Sequence, residues 1–106
     1  MEKELRECVK LVLPEGEFML EYYLIKHSVL DVSPRLHLFT YGVEIVKRSC
    51  GDSEVIETKL ISDVCCSVMK MNDMISLLAR NTVTPMCLHD VIEDFISNGE
   101  EEKAVF

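Results

Sequence analysis

His89-Asp90, followed by Glu93 and Asp94, is the group of residues in this chain best equipped for chemistry. His89 and Glu93 are four positions apart, so on a helix they share one face. From there an imidazole nitrogen and a carboxylate oxygen can hold one metal ion, or can serve acid–base chemistry together with Asp90. A structural metal site takes three or four ligands, and no obvious residue completes the set. The competing reading is a solvated helix face on which the histidine pairs with its acids. A metal-binding protein or enzyme using His89, Asp90 and Glu93 is therefore the alternative function, with His89 and Glu93 as its candidate ligands.

The other reactive residue types form no constellation. His27 and His37 flank a break between two apolar runs. Paired with Cys50 or Cys66 they would make a base and a nucleophile, but the spacing does not join them. GxGxxG, the P-loop, the nucleophile elbow and HExxH are all missing. No catalytic residue and no cofactor is expected. Five cysteines, Cys8, Cys50, Cys65, Cys66 and Cys87, make an odd count without CxxC spacing. They read as reduced thiols that behave as small hydrophobes rather than as a disulfide framework.

The charge balance narrows the partners. The formal net charge is -8. Asp90, Glu93, Asp94, Glu100, Glu101 and Glu102 stand against Lys103 alone in the last quarter of the chain. Nucleic-acid binding begins with a basic face, and here Lys47, Arg48 and Lys70 are scattered among acids, so no nucleic-acid partner is expected. An acidic surface suits solubility or a basic protein partner. No apolar run approaches the roughly 20 residues of a membrane span, and the first residues lack a secretory h-region. A cytoplasmic location without membrane contact follows as an expectation.

The elements that must position these residues divide the chain in two. Lys3 to Leu13 alternates, with Leu5, Val9, Leu11 and Leu13 on one face and Arg6 and Lys10 on the other. Pro14-Glu15-Gly16-Glu17 is turn chemistry, and Phe18 to Ile25 is rich in strand formers, so the pair reads as a hairpin. Ser33-Pro34 breaks the pattern before a third strand in which His37, Phe39, Tyr41, Val43 and Ile45 share a face. Gly42 inside that strand signals a bulge or a close backbone approach. A fourth strand, Glu54 to Ile61, follows the turn at Cys50-Gly51-Asp52-Ser53.

After Ser62 the period lengthens. Val64, Val68, Met71, Ile75, Leu78 and Ala79 recur at helical steps, with Ser67 and Asp63 competing as N-cap. Thr84-Pro85 starts a second helix with the stripe Leu88, Val91, Ile92, Phe95 and Ile96, and Asn98-Gly99 is the expected stop. The fold expected is α+β: a four-stranded antiparallel meander over about residues 3–61, then two C-terminal helices packed on one sheet face. Residues 1–99 form one domain in this reading, and 100–106 a flexible acidic tail.

Two helices cover one face of such a sheet, yet its strands are apolar on both. Phe18, Leu20, Tyr22 and Leu24 oppose Met19, Tyr23 and Ile25; Phe39, Tyr41, Val43 and Ile45 oppose Leu36, Leu38 and Val46. Large exposed apolar patches usually mark contact surfaces. Met19, Tyr23, Ile25, Leu36 and Leu38 are therefore the candidate interface of a homodimer formed through the sheet face. Curling of the sheet is the way one chain would hide the same residues.

Leu77-Leu78-Ala79-Arg80-Asn81-Thr82-Val83-Thr84-Pro85, then Leu88 and Asp90-Val91-Ile92-Glu93-Asp94-Phe95, with Glu21-Tyr22-Tyr23 and Tyr41-Gly42-Val43-Glu44-Ile45, carry a family resemblance. Over nearly its whole length the chain resembles a Firmicutes family of roughly 100-residue proteins known only as a domain of unknown function. The resemblance implies a small bacterial intracellular protein and brings no activity or site residue with it. Together these readings favour a small non-enzymatic protein-interaction module, self-associating or bound to a basic protein.

Overall fold

A two-residue turn, Pro14-Glu15, joins β1 (Glu2–Leu13) to β2 (Gly16–Val29), with Leu13 paired to Gly16. Gly16 has φ 150°, a conformation that side-chain-bearing residues rarely adopt. This computed structural model describes residues 1–29 and 38–104, with the backbone alone at 29, 38 and 97–104. β3 (Leu38–Ser49) pairs with β2 without interruption, and β4 (Val55–Cys65) pairs with β3. The strands form one antiparallel sheet in the order β1-β2-β3-β4, followed by α1 (Val68–Arg80) and α2 (Pro85–Ala104). The α+β meander expected from the periodicities is the observed fold.

Register decides which side chains meet the helices. Leu20, Tyr22 and Leu24 from β2 and Val43 and Ile45 from β3 pack against Met71, Ile75 and Leu78 of α1 and Leu88 and Ile92 of α2. This is the even-numbered set of β2 and the odd-numbered set of β3, as the alternation implies. Removing these apolar surfaces from water is the main force holding the helices to the sheet. Tyr22 also crosses the core to donate a hydrogen bond to the Val83 carbonyl at 2.8 Å.

Three local departures from simple alternation matter for the surface. A register shift between Leu5 and Glu7 places Arg6 in a bulge, so Leu5 pairs with Tyr23 while Val9 pairs with Leu20. Leu5 therefore leaves the face of Val9, Leu11 and Leu13 and stands 49% exposed, contrary to its place in the simple pattern. A second shift, between Lys47 and Arg48, sets Ile56 as an extra residue beside Val55. The third lies where Tyr41 pairs with Cys65 and Val43 with Ile61, so Ser62-Asp63-Val64 faces Gly42 alone.

Gly42 makes that last arrangement possible. A Cβ there would fall on the Ile61 carbonyl oxygen and lie 2.7 Å from Ser62 Cα. The close approach expected of a glycine inside a strand is thus present, against the β4 backbone. Within the bulge Asp63 takes φ 56°, a left-handed conformation that aspartate tolerates better than most residues. The bulge also carries β4 on to Cys65, beyond the expected end at Ile61. Val64 reaches the core from a strand rather than from the first turn of a helix.

Ser67 wins the competition for the α1 N-cap, its Oγ accepting from the Lys70 amide at 3.2 Å. Asn81 caps the other end through its side-chain amide on Leu77 O. α2 starts at Pro85 as expected but continues through Asn98 and Gly99 to Ala104, so Gly99 is not its stop. One glycine costs a helix about 1 kcal/mol, and the good helix formers from Glu100 to Ala104 favour continuation. Residues 100–104, expected in a tail, are in this helix. No helix among the described residues is long and apolar enough to cross a membrane.

Candidate functional site

On the sheet face opposite the helices, register brings together Lys3 and Lys10 of β1, Glu17, Glu21 and His27 of β2, and Glu44 and Arg48 of β3. The β4 bulge adds Asp63. These charges are matched into Lys3–Glu44 at 2.7 Å, Lys10–Glu17 at 3.3 Å, Arg48–Glu21 at 2.8 Å and His27–Asp63 at 3.0 Å. Counted with histidine neutral, as for the chain's net charge of -8, three cations and four carboxylates leave this face at -1. The other surplus acids lie elsewhere.

The pairs also form a roof. Lys3 Nζ lies 4.3 Å from the Tyr23 ring centroid while bonded to Glu44. The Glu44 hydrogen bond holds the Lys3 pKa above its ordinary value. Tyr23 Oη donates to Glu21 Oε1 at 3.0 Å, the same oxygen that accepts from Arg48 Nε. Burial, and then the Glu21 carboxylate, raise the Tyr23 pKa. Long charged side chains thus lay their apolar stems across the centre of the face while their heads pair with each other.

This roof alters the interface expected from sequence. Ile25 is 2% exposed in the single chain and so needs no second molecule to cover it. Met19 and Tyr23 are half-buried. Leu38 pairs with Val29 at the far end of the strands, and Leu36 lies outside the described residues. Within the sheet, the exposed large apolar side chains among the described residues are instead on the edge strands: Leu5 and Val12 on β1, and Val55, Ile56 and Leu60 on β4.

At one end of the face, Asp63 Oδ1 accepts from both His27 Nδ1 and Thr40 Oγ1. These bonds, Thr40's the larger in effect, hold the Asp63 carboxyl below its usual range. With Asp63 ionised, Nδ1 carries the proton and Nε2 is left outside the pair. Sequence reasoning missed Asp63 as the partner of His27, and Thr40 as the second donor to that carboxylate. The available signal was Gly42, whose bulge turns the Asp63 side chain toward β2 and β3. The partner found for His27 is thus the Asp63 carboxylate, which also accepts from Thr40, not Cys50 or Cys66, while His37 lies outside the described residues.

The His89 group is assembled on the solvent side of α2. One ligand atom from each of His89, Asp90 and Glu93 lies within 4.8 Å of the others, and all three residues are exposed. Nδ1 is 4.0 Å from Asp90 and Nε2 is 3.5 Å from Glu93, so the ring stands between its two acids. A metal ion takes a single imidazole nitrogen and so would draw Asp90 and Glu93 to the same side. The three residues thus form an exposed cluster of one imidazole between two carboxylates.

The remaining sequence candidates are dispersed. All five cysteines are free thiols. Among the methionines, Met71 is buried in the core, whereas Met69 and Met86 are 75% and 78% exposed. A 460 Å³ depression beside the start of β1 is lined by Glu2, Lys3, Glu4, Leu24 and Lys26.

No curated protein and no solved structure matches the chain. A family model does, over residues 2–98, which takes in all four strands, α1 and most of α2. The chain belongs to this family of unknown function, DUF6514.

Proposed function

We propose that this protein is a non-enzymatic interaction module that associates with a second copy of itself through its sheet. The observation that carries the reading is the electrostatic character of the open face. Two chains of charge -8 repel each other at most approaches, whereas the sheet presents paired charges and so little like-charge cost. Exposed Val12, Val55, Ile56 and Leu60 offer apolar area at the rim of that same surface. A basic partner would instead seek the unpaired acids outside the face, so the matched charges favour a second copy. Free thiols at all five cysteines support a reducing compartment, the cytoplasm, as the place of action.

Light scattering coupled to gel filtration tests the reading. Self-association predicts a mass about twice 12.1 kDa at micromolar concentration. A monomer mass that persists as concentration rises overturns it.

A further inference from the structure

We infer that the second copy joins edge to edge along β4, antiparallel about a two-fold axis at Thr58, to make one eight-stranded sheet. The inference rests on the self-association reading and places the contact at the sheet edge bordering the open face rather than on the face itself. The meander leaves β1 and β4 as the edges of the sheet, each with unpaired backbone donors and acceptors along one side.

The two edges differ in what they present. β1 carries Glu2, Lys3, Glu4, Arg6, Glu7 and Lys10, with a bulge at Arg6. Dense charge is a usual means of blocking edge pairing. β4 from Val55 to Ile61 also holds one bulge residue, Ile56, but it carries only Glu57 and Lys59, contains neither proline nor glycine, and exposes Val55, Ile56 and Leu60, so charge is what separates the two edges.

The β4 sequence is self-complementary about Thr58. Antiparallel pairing there sets Glu57 opposite the partner's Lys59 and Lys59 opposite the partner's Glu57. It sets Ile56 opposite the partner's Leu60 and Leu60 opposite the partner's Ile56, so four exposed apolar side chains flank the axis. Thr58 meets its own equivalent, a favourable cross-strand pair. Moving the axis one residue either way opposes Glu57 to Glu57 or Lys59 to Lys59, which like-charge repulsion disfavours. The register is thereby specified by charge as well as by apolar contact.

Charge reversal tests this on the intact protein by light scattering. Glu57→Lys and Lys59→Glu should each lower the mass to 12.1 kDa, because each opposes like charges twice across the axis. An equimolar mixture of the two variants should recover the dimer mass, since each then meets the opposite charge at both contacts. Loss by misfolding would give no such recovery, and thermal unfolding of each variant checks the fold separately. A wild-type dimer that survives both single variants overturns the β4 edge and leaves self-association standing. Single variants that are monomeric alone and remain so when mixed also overturn it. A wild-type monomer removes self-association itself.

Discussion

The Tyr22 hydroxyl donates a 2.8 Å hydrogen bond to the Val83 carbonyl, tying the middle of β2 to the turn between α1 and α2. Tyr22 is fully buried, and its ring lies among core residues from both layers. The bond satisfies a turn carbonyl while Asn81 and Thr82 bend the chain, Thr82 at φ 53°. Tyr22→Phe keeps the ring and removes the donor, which should cost about 1–2 kcal/mol. Denaturant unfolding measures this; a stability unchanged within error would mean that the turn does not depend on the bond.

Burial also raises the Tyr22 pKa far above that of a free phenol. Above pH ~10 the unfolded chain loses the Tyr22 proton while the folded chain keeps it. The unfolded state then binds fewer protons, so stability falls as pH rises through this range. Tyrosinate absorbance should show Tyr22 ionising only with unfolding. An early, reversible ionisation of every tyrosine in the folded protein would count against this packing.

Gly42→Ala places a methyl group against the β4 backbone at Ile61 and Ser62, where no flexible side chain can yield. Overpacking of this kind costs about 1–3 kcal/mol. A lower melting temperature is expected, together with loss of the His27–Asp63 contact in NMR spectra. An unchanged melting temperature would show that the bulge has room to spare.

Hydrogen bonds from Thr40 and His27 lower the Asp63 pKa, so its ionised form is stabilised in the folded protein. The contribution is present above the unfolded pKa of about 3.9 and is lost as pH falls through the folded value. Thr40→Val should move the midpoint of the Asp63 carboxyl titration, followed by NMR, to higher pH. No movement would assign the shift to other neighbours.

His89 supplies a discriminating experiment for the metal alternative. As an exposed helix-face pair it should contribute about 0.5 kcal/mol or less, so His89→Ala leaves melting nearly unchanged, with or without a chelator. Stoichiometric zinc, manganese or iron in tag-free protein, lost in His89→Ala, would restore the metal reading.

How far the chain could be read before its structure depended on whether a signal was periodic or paired. Alternation in Phe18 to Ile25 and the three-to-four spacing from Val68 to Ala79 are local, and the strands and helices follow from them. Leu5 and Val64 departed because a bulge reverses facing without altering composition. Gly99 departed because a favourable helical stretch beyond it outweighed one glycine. The roof over Ile25 was illegible for another reason: Lys3 and Glu44 are far apart in sequence, and only strand register makes them neighbours. Thr40 and Asp63 joined His27 in the same way, with Gly42 as the one local trace.

Self-association remains the reading on which the proposed function stands, and the molar mass of the unmodified chain measures it directly. Light scattering across a rising concentration series should give a value approaching twice 12.1 kDa. A mass that stays at 12.1 kDa throughout the series would show that the matched open face and the β4 edge belong to a monomer.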